Sequence, residues 1–493
     1  MPTLPAFIDP GQLERVAKFL GIGGPPKTQP TVRIGVLGAS QVATYAMLWP
    51  ARRVPGAEVV AVAARDGARA QEYAKQHGIA RSYGSYEALL ADPEVDAVYV
   101  GLPNGLHGAW AAAALAAGKH VLCEKPFTAN QQEAIEVQAL ARRKRLVCRE
   151  AFHYREHPLM HHLVQLLGGG GGSSSGQGGG SSSIGANGGG AAGAGGPLGR
   201  LRSLEAQVLI PKWVFGGANI RFQETLAGGA AMDAGCYCLH AIRTLAAAAG
   251  AVGLPWVESA QAELASPTSQ VVDGAMRGTL RWRGGGGGGG SGSGAQQEDV
   301  TARFAASLQW EGLLPRSTID LEGDRGRMHV SNFIMPVFGH VVRLSTTTAT
   351  TTTATATSNN STGGGGTTTG TAPAATSTTS TTLRVYGTGE STYWHQLSRF
   401  VADVRAVDEA VDSGDEGALL AAARLLAADE MDCVANMGLL DDVYRAAGLR
   451  PRLPSAQAVA LAQQQQQAAA AASKAAAQAA GGAAGQAEAG TSL

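Results

Sequence analysis

The sequence has no apolar run long enough to cross a bilayer, no excess of either charge, and no cysteine framework. Each absence removes a class of function. Lys+Arg 39 balances Asp+Glu 39, so no basic field exists to hold nucleic acid or an anionic membrane surface. The five cysteines (Cys123, Cys148, Cys236, Cys238 and Cys433) are odd in number and follow no framework spacing, which argues for reduced thiols. Cys236 and Cys238 have no second pair to complete a zinc site, so no metal is expected. Asp9 and Glu14 lie where a secretory signal would have a basic stretch and an apolar core. A short helix over 12–20 and a cytoplasmic protein are expected instead.

Glycine is in excess, and the excess sits in tracts. Residues 168–196 are Gly/Ser/Ala, 284–296 are Gly/Ser, 346–382 are Thr-rich, and 455–493 form an Ala/Gln tail. None carries enough apolar surface to offset its ordering entropy. Setting these aside with an N-terminal arm (1–30) leaves roughly 350 residues of globular sequence, which suits two domains. The first, 31–152, alternates apolar strands and helices. Strands are predicted at 32–37, 58–63, 97–101, around Val121 and at 146–148, with helices over 68–77, 108–117 and 130–142. That rhythm defines an α/β Rossmann domain with a doubly wound parallel sheet. The second, 153–454, carries the low-complexity inserts. Its strands, at 203–210, 274–282, 300–310, 316–321 and 383–387, have no helices between them. It reads as an α+β domain with a mainly antiparallel sheet, one helical segment near 233–247, and closing helices over 393–404 and 418–445.

The first strand runs into Gly38-Ala39-Ser40-Gln41-Val42-Ala43. Against the dinucleotide fingerprint G-x-G-x-x-G/A, Ser40 replaces the middle glycine, and the following helix offers free N–H groups to phosphate. The second strand ends at Arg65-Asp66, with Arg69 a turn further on. Arginine there suits a 2′-phosphate and so favours NADP, while Asp66 keeps NAD open. Pro103, Asn104 and His107 follow the third strand and face the expected ligand crevice, although His107 can equally cap the next helix. With Glu124 and Lys125, these residues make up the expected cofactor-binding set: Gly38, Ser40, Gln41, Val42, Arg65, Arg69, Pro103, Asn104, His107, Glu124 and Lys125.

The chemistry is expected at Cys123-Glu124-Lys125-Pro126, on a strand end, and at Asp233 and Tyr237, which are four apart on one helix face. Phenol is a poor base at neutral pH, but a neighbouring ammonium lowers its pKa. Lys125 beside Tyr237 thus forms a proton-transfer couple for alcohol oxidation or carbonyl reduction, with Asp233 orienting either partner. His240 reads as a core histidine.

These segments, with Glu150-Ala151-Phe152, 228–237 and 441–448, resemble the Gfo/Idh/MocA oxidoreductase family. Within it they look most like trans-1,2-dihydrobenzene-1,2-diol dehydrogenases and NADP-dependent D-xylose 1-dehydrogenases. The resemblance implies a large open-faced sheet through which homodimers form, and a sugar or vicinal diol substrate. It also implies that Lys125 binds the reacting oxygen and Tyr237 exchanges the proton. His153 stands where an apolar residue is expected after Glu-Ala-Phe. The alternative is a catalytically inactive, NADP-sensing regulatory protein on the same fold.

Overall fold

The computed structural model describes residues 10–27, 30–168, 196–216, 219–266, 269, 271–282, 299–350, 353–355, 369–371, 375–456, 458–461 and 463–464. Most of the Gly/Ser/Ala tract, the whole 284–296 tract, the middle of the Thr-rich tract and most of the tail lie outside the described residues.

The N-terminal half holds six parallel strands: β1 (Val32–Leu37), β2 (Ala57–Ala63), β3 (Arg81–Tyr83), β4 (Ala97–Val100), β5 (His120–Cys123) and β6 (Cys148–Glu150), in the order β3-β2-β1-β4-β5-β6. Strands buried on both faces read as unbroken apolar runs, and β4 and β5 are buried at every position. Helices Gly67–His77, His107–Ala116 and Gln131–Lys144 make the crossovers. Local sequence starts them: Asp66 caps the first through its carboxylate and Asn130 the third through its side-chain oxygen. Strand order reverses between β1 and β4, where such sheets open a ligand crevice at their carboxyl ends.

The second sheet has eight strands, ordered β16-β13-β12-β11-β7-β10-β9-β8. They are β7 (Leu201–Pro211), β8 (Trp256–Leu264), β9 (Asp273–Trp282), β10 (Val300–Trp310), β11 (Arg316–Gly323), β12 (Gly326–Ser331), β13 (Val341–Thr350) and β16 (Ala375–Leu383). All pairings are antiparallel except β7 with β10. A short pair, β14 (Thr353–Thr355) and β15 (Thr369–Thr371), stands apart. One face of the large sheet buries Leu204, Ala206, Phe304, Ala306 and Ile319 under helix Cys236–Ala248. The other shows Arg277, Arg303, Asp320 and Arg327 to solvent.

The Thr-rich tract departs from expectation at both ends. Residues 346–350 of β13 pair with 375–379 of β16 and extend the sheet. Of the last predicted strand, 383–387, only Leu383 is strand, as the final residue of β16, and 384–387 leave the sheet. β-Branched threonine favours strand, and a partner strand satisfies backbone groups that composition alone leaves unaccounted for.

Helix Thr392–Ser413 returns to the first sheet and buries Leu397, Phe400 and Val404 against β1 and β2. Helix Glu416–Ala446 packs on helices Gln131–Lys144 and Cys236–Ala248. One of the two core clusters among the described residues runs from the first sheet into the second, so the strand ends of one half are held rigidly against the helix of the other.

Candidate functional site

Lys125 lies two residues past β5, at the carboxyl edge of the first sheet. Asp233 lies in the π-helical turn Ala231–Gly235, and Tyr237 in the first turn of helix Cys236–Ala248. The fold brings all three together. Lys125 Nζ donates to Asp233 Oδ1 at 2.9 Å and to the Asp233 carbonyl oxygen at 3.0 Å. It also stands 5.1 Å from the Tyr237 ring centroid. An ammonium has three donors, so two N–H groups are committed to Asp233 and one is left for a ligand.

Asp233 is shared. Its Oδ2 accepts from Arg221 Nε at 2.8 Å. Burial would lift the carboxyl's pKa, but Lys125 and Arg221 together hold it well below the usual range. For Lys125, burial disfavours the charge; Asp233 outweighs that and the pKa is raised. The trio is thus ionised and carries one surplus positive charge. Arg221, between β7 and the π-helical turn, also stacks on Phe215 at 4.2 Å. Sequence reasoning missed it because no periodicity or motif marks this loop.

The electrostatics of Tyr237 reverse the sequence expectation. Burial pushes its phenol well above its ordinary value, with further upward contributions from acidic neighbours such as Tyr393 and Glu124. Burial outweighs any pull from the Lys125 ammonium, so the phenol ends above its ordinary value and not below it. Tyr237 Oη lies 3.0 Å from His153 Nε2, and His153 Nδ1 lies 2.8 Å from Thr392 Oγ1. Tyr393 stacks on the imidazole at 4.1 Å between centroids and reaches Tyr45 at 5.6 Å. His240 is a core histidine, bonded to Tyr154 and Asp432.

The cofactor set separates into groups. Gly38 has φ of +103°, and a Cβ there would lie 2.7 Å from the Gly101 carbonyl oxygen. Only glycine lets the turn pass so close to β4. Ser40, in place of the middle glycine, caps the helix by accepting from Ala43 N at 3.2 Å. Gln41 is exposed and Val42 half-buried. Arg69 donates to the Ala39 carbonyl at 2.8 Å and so flanks the glycine turn, and Arg65 is exposed two residues past β2. Asp66, the residue that kept NAD open, accepts from the N–H groups of Ala68 and Arg69 through one carboxylate oxygen, Oδ1.

Four further members of the set hold structural positions. Both ring nitrogens of His107 face backbone carbonyls, of Pro126 at 2.8 Å and Leu102 at 2.7 Å, and a neutral ring donates to one of them. Burial, reinforced by Lys125, lowers its pKa despite those acceptors. The ring therefore staples two loops and is closed to a ligand. Asn104 Nδ2 reaches across to the Ala227 carbonyl at 3.2 Å, and Pro103 precedes this turn. The Glu124 carboxyl faces inward to Tyr99 Oη at 2.8 Å, and burial raises its pKa. Among the described residues, no cluster of three or more His, Cys, Asp or Glu is arranged to hold a metal ion, and no helix is long and apolar enough to cross a membrane.

The strand order, glycine turn and cation pair define a dinucleotide-binding protein with a second, sheet-built domain facing the crevice. Residues 32–152 match the model of the Gfo/Idh/MocA oxidoreductase family, NAD-binding Rossmann fold. D-xylose 1-dehydrogenase (NADP(+)) 2 of Haloferax volcanii is 37% identical over 209 residues, 42% of this chain and 55% of that protein. Trans-1,2-dihydrobenzene-1,2-diol dehydrogenase of Oryctolagus cuniculus is 37% identical over 189 residues, 38% of this chain and 47% of that protein. The chain thus spans about half the length of the curated relatives it matches. The fold extends further. The 3-ketoreductase KijD10 of Actinomadura kijaniata, solved with NADP and TDP-benzene, superposes with TM-score 0.58 at 21% identity, over 84% of this chain and 98% of that one.

Proposed function

We propose that this chain is an NADP-dependent oxidoreductase acting on a sugar or vicinal diol, with Lys125 and Tyr237 handling the substrate oxygen and its proton. The observation that carries the reading is the meeting of Lys125 and Tyr237, from separate domains, at the strand ends of a Rossmann sheet. The bound nicotinamide supplies hydride exchange at the substrate carbon. The third N–H of Lys125 binds the reacting oxygen, and its surplus charge stabilises negative charge developing there. Tyr237 gives or takes the proton. NADP is supported by Arg69 beside the glycine turn, by Arg65 two residues past β2 and by the helix-capping contacts of Asp66. The relatives named for NADP point the same way.

A spectrophotometric screen for NADP reduction over aldoses and cyclic diols, with NADPH oxidation over the matching carbonyls, tests the reading. Binding of NADPH without turnover on the whole panel favours a sensor. Arg65→Ala should weaken NADPH about 10-fold to 100-fold and NADH hardly at all, as loss of a charge-assisted phosphate contact would. Equal weakening of both cofactors, by fluorescence titration, would remove the basis for NADP preference.

The phenol's raised pKa sets a pH signature. Reduction consumes a proton and needs the neutral phenol; oxidation needs the phenolate. Burial holds Tyr237 protonated through the neutral range, so reduction should be flat there. Oxidation should still be rising at pH about 10, the ordinary tyrosine value. An oxidation profile that plateaus near neutrality would assign the proton to another group.

The open face of the eight-stranded sheet is the surface we assign to a homodimer. Static light scattering of the purified chain, with Arg303→Glu as the disrupting variant, reads this directly.

A further inference from the structure

His153 follows β6 directly after Glu150-Ala151-Phe152, where the resemblance calls for an apolar side chain. The imidazole is buried to 2% exposure between Tyr393 and Tyr237. Both nitrogens have hydroxyl partners: Thr392 Oγ1 at 2.8 Å from Nδ1, and Tyr237 Oη at 3.0 Å from Nε2. A ring sealed this way serves the hydroxyls it touches.

Burial, with Lys125 adding to it, pushes the imidazole down to about 3. It is therefore neutral, with one N–H donor and one bare acceptor nitrogen. A hydroxyl can donate or accept, so the chain Thr392–His153–Tyr237 has two possible directions. In one, the phenol donates to Nε2 and its proton is turned away from substrate. In the other, Thr392 donates to Nδ1, Nε2–H donates to the phenol oxygen, and the phenol proton stays free.

We propose that His153 is a positioning residue for Tyr237, its tautomer fixed by Thr392 so that Nε2–H donates to Tyr237 Oη and turns the phenol proton toward the substrate oxygen. This rests on reading Tyr237 as the proton donor. During carbonyl reduction, the phenol O–H bond breaks and a bond forms from that proton to the substrate oxygen, which gains its electron pair as hydride reaches the carbon. The phenolate left behind keeps the Nε2–H donor and the nearby Lys125 ammonium. Solvent returns the proton once product leaves. His153 itself neither gains nor loses one, as its low basicity requires.

Nitrogen NMR of histidine-labelled full-length protein tests the tautomer without need of a substrate. Wild type should show His153 protonated on Nε2, with Nδ1 the bare acceptor facing Thr392. A wild-type ring protonated on Nδ1 overturns the proposal. Kinetics test the role. His153→Met should lower kcat by about 10-fold to 100-fold, with KM and NADPH affinity moved less than about twofold, and His153→Gln, which keeps a donor, should recover most of the loss. In a Tyr237→Phe background His153→Met should cost nothing further. A full additional loss there, or equal defects in Met and Gln, would reduce His153 to packing. Wild-type turnover in Tyr237→Phe would instead remove the reading of Tyr237, while the tautomer measurement still decides the direction of the hydrogen bonds.

Discussion

Lys125→Ala should lower turnover in both directions by about 10²-fold to 10⁴-fold or more, while NADPH should bind nearly as before. The asymmetry follows from where the residue sits. Its donors reach Asp233 and the pocket, whereas the Gly38 turn, Arg65 and Arg69 lie on the other side of the switch point and lose nothing. The trio Lys125–Asp233–Arg221 holds two positive charges against one negative. Removing Lys125 leaves a neutral pair, and the substrate oxygen then meets no surplus cation as negative charge builds up on it. Asp233 keeps Arg221, so no buried charge is stranded and the fold should survive; circular dichroism and a melting point close to wild type would show this. Lys125→Arg should not restore activity. A planar guanidinium cannot place two donors on one residue's carbonyl and carboxylate and a third on substrate from the same small head. Near-normal turnover in Lys125→Ala would mean that the cation polarises nothing that reacts.

Much of this was legible before any coordinates. The Rossmann half is written in unbroken apolar runs, at 32–37 and 97–100, and in caps such as Asp66 and Asn130, because a parallel sheet buries both faces and helix starts need side-chain acceptors. The second sheet was less legible for the opposite reason. β8 is largely exposed, β12 is only six residues long, and β13 runs into threonines, so none concentrates apolar residues. Their pairing partners, not their own sequence, make them strands. The site followed the same division. Lys125, Asp233 and Tyr237 were visible through motifs. Arg221 and Thr392 were not, for a loop arginine and a helix-start threonine become functional candidates only when a distant partner arrives. The raised pKa of Tyr237 was not legible either, because its largest cause is burial, which packing from both domains sets and no local motif records. Asp66 and His107 went the other way. Each looks like a ligand in sequence, and each proves committed to backbone groups.

Asp273→Ala should be among the most damaging single changes in the chain, although it touches neither crevice nor substrate. Asp273, at the start of β9, has 0% exposure. It accepts from Arg452 Nη2 at 2.7 Å, Tyr444 Oη at 2.9 Å and the Ala231 backbone N–H at 2.6 Å. Arg452, just beyond helix Glu416–Ala446, also donates from Nε to the Gly228 carbonyl at 2.8 Å. Gly229 must be glycine for this to assemble: its φ is +141°, and a Cβ there would lie 2.2 Å from Asp273 Oδ1. The cluster clamps the turn that launches Asp233 and Tyr237. Removing the carboxylate strands the Arg452 guanidinium, which is 2% exposed, at a cost of about 3–5 kcal/mol. Thermal unfolding should fall by roughly 4–7 °C. Adding Arg452→Met should recover part of that loss, because removing both partners of a buried pair costs less than removing one. Turnover should fall further than folded fraction in Asp273→Ala, since the released turn no longer holds Asp233 against Lys125. A melting point within about 2 °C of wild type would show that the guanidinium finds water or another acceptor, and that the C-terminal segment does not hold the site together.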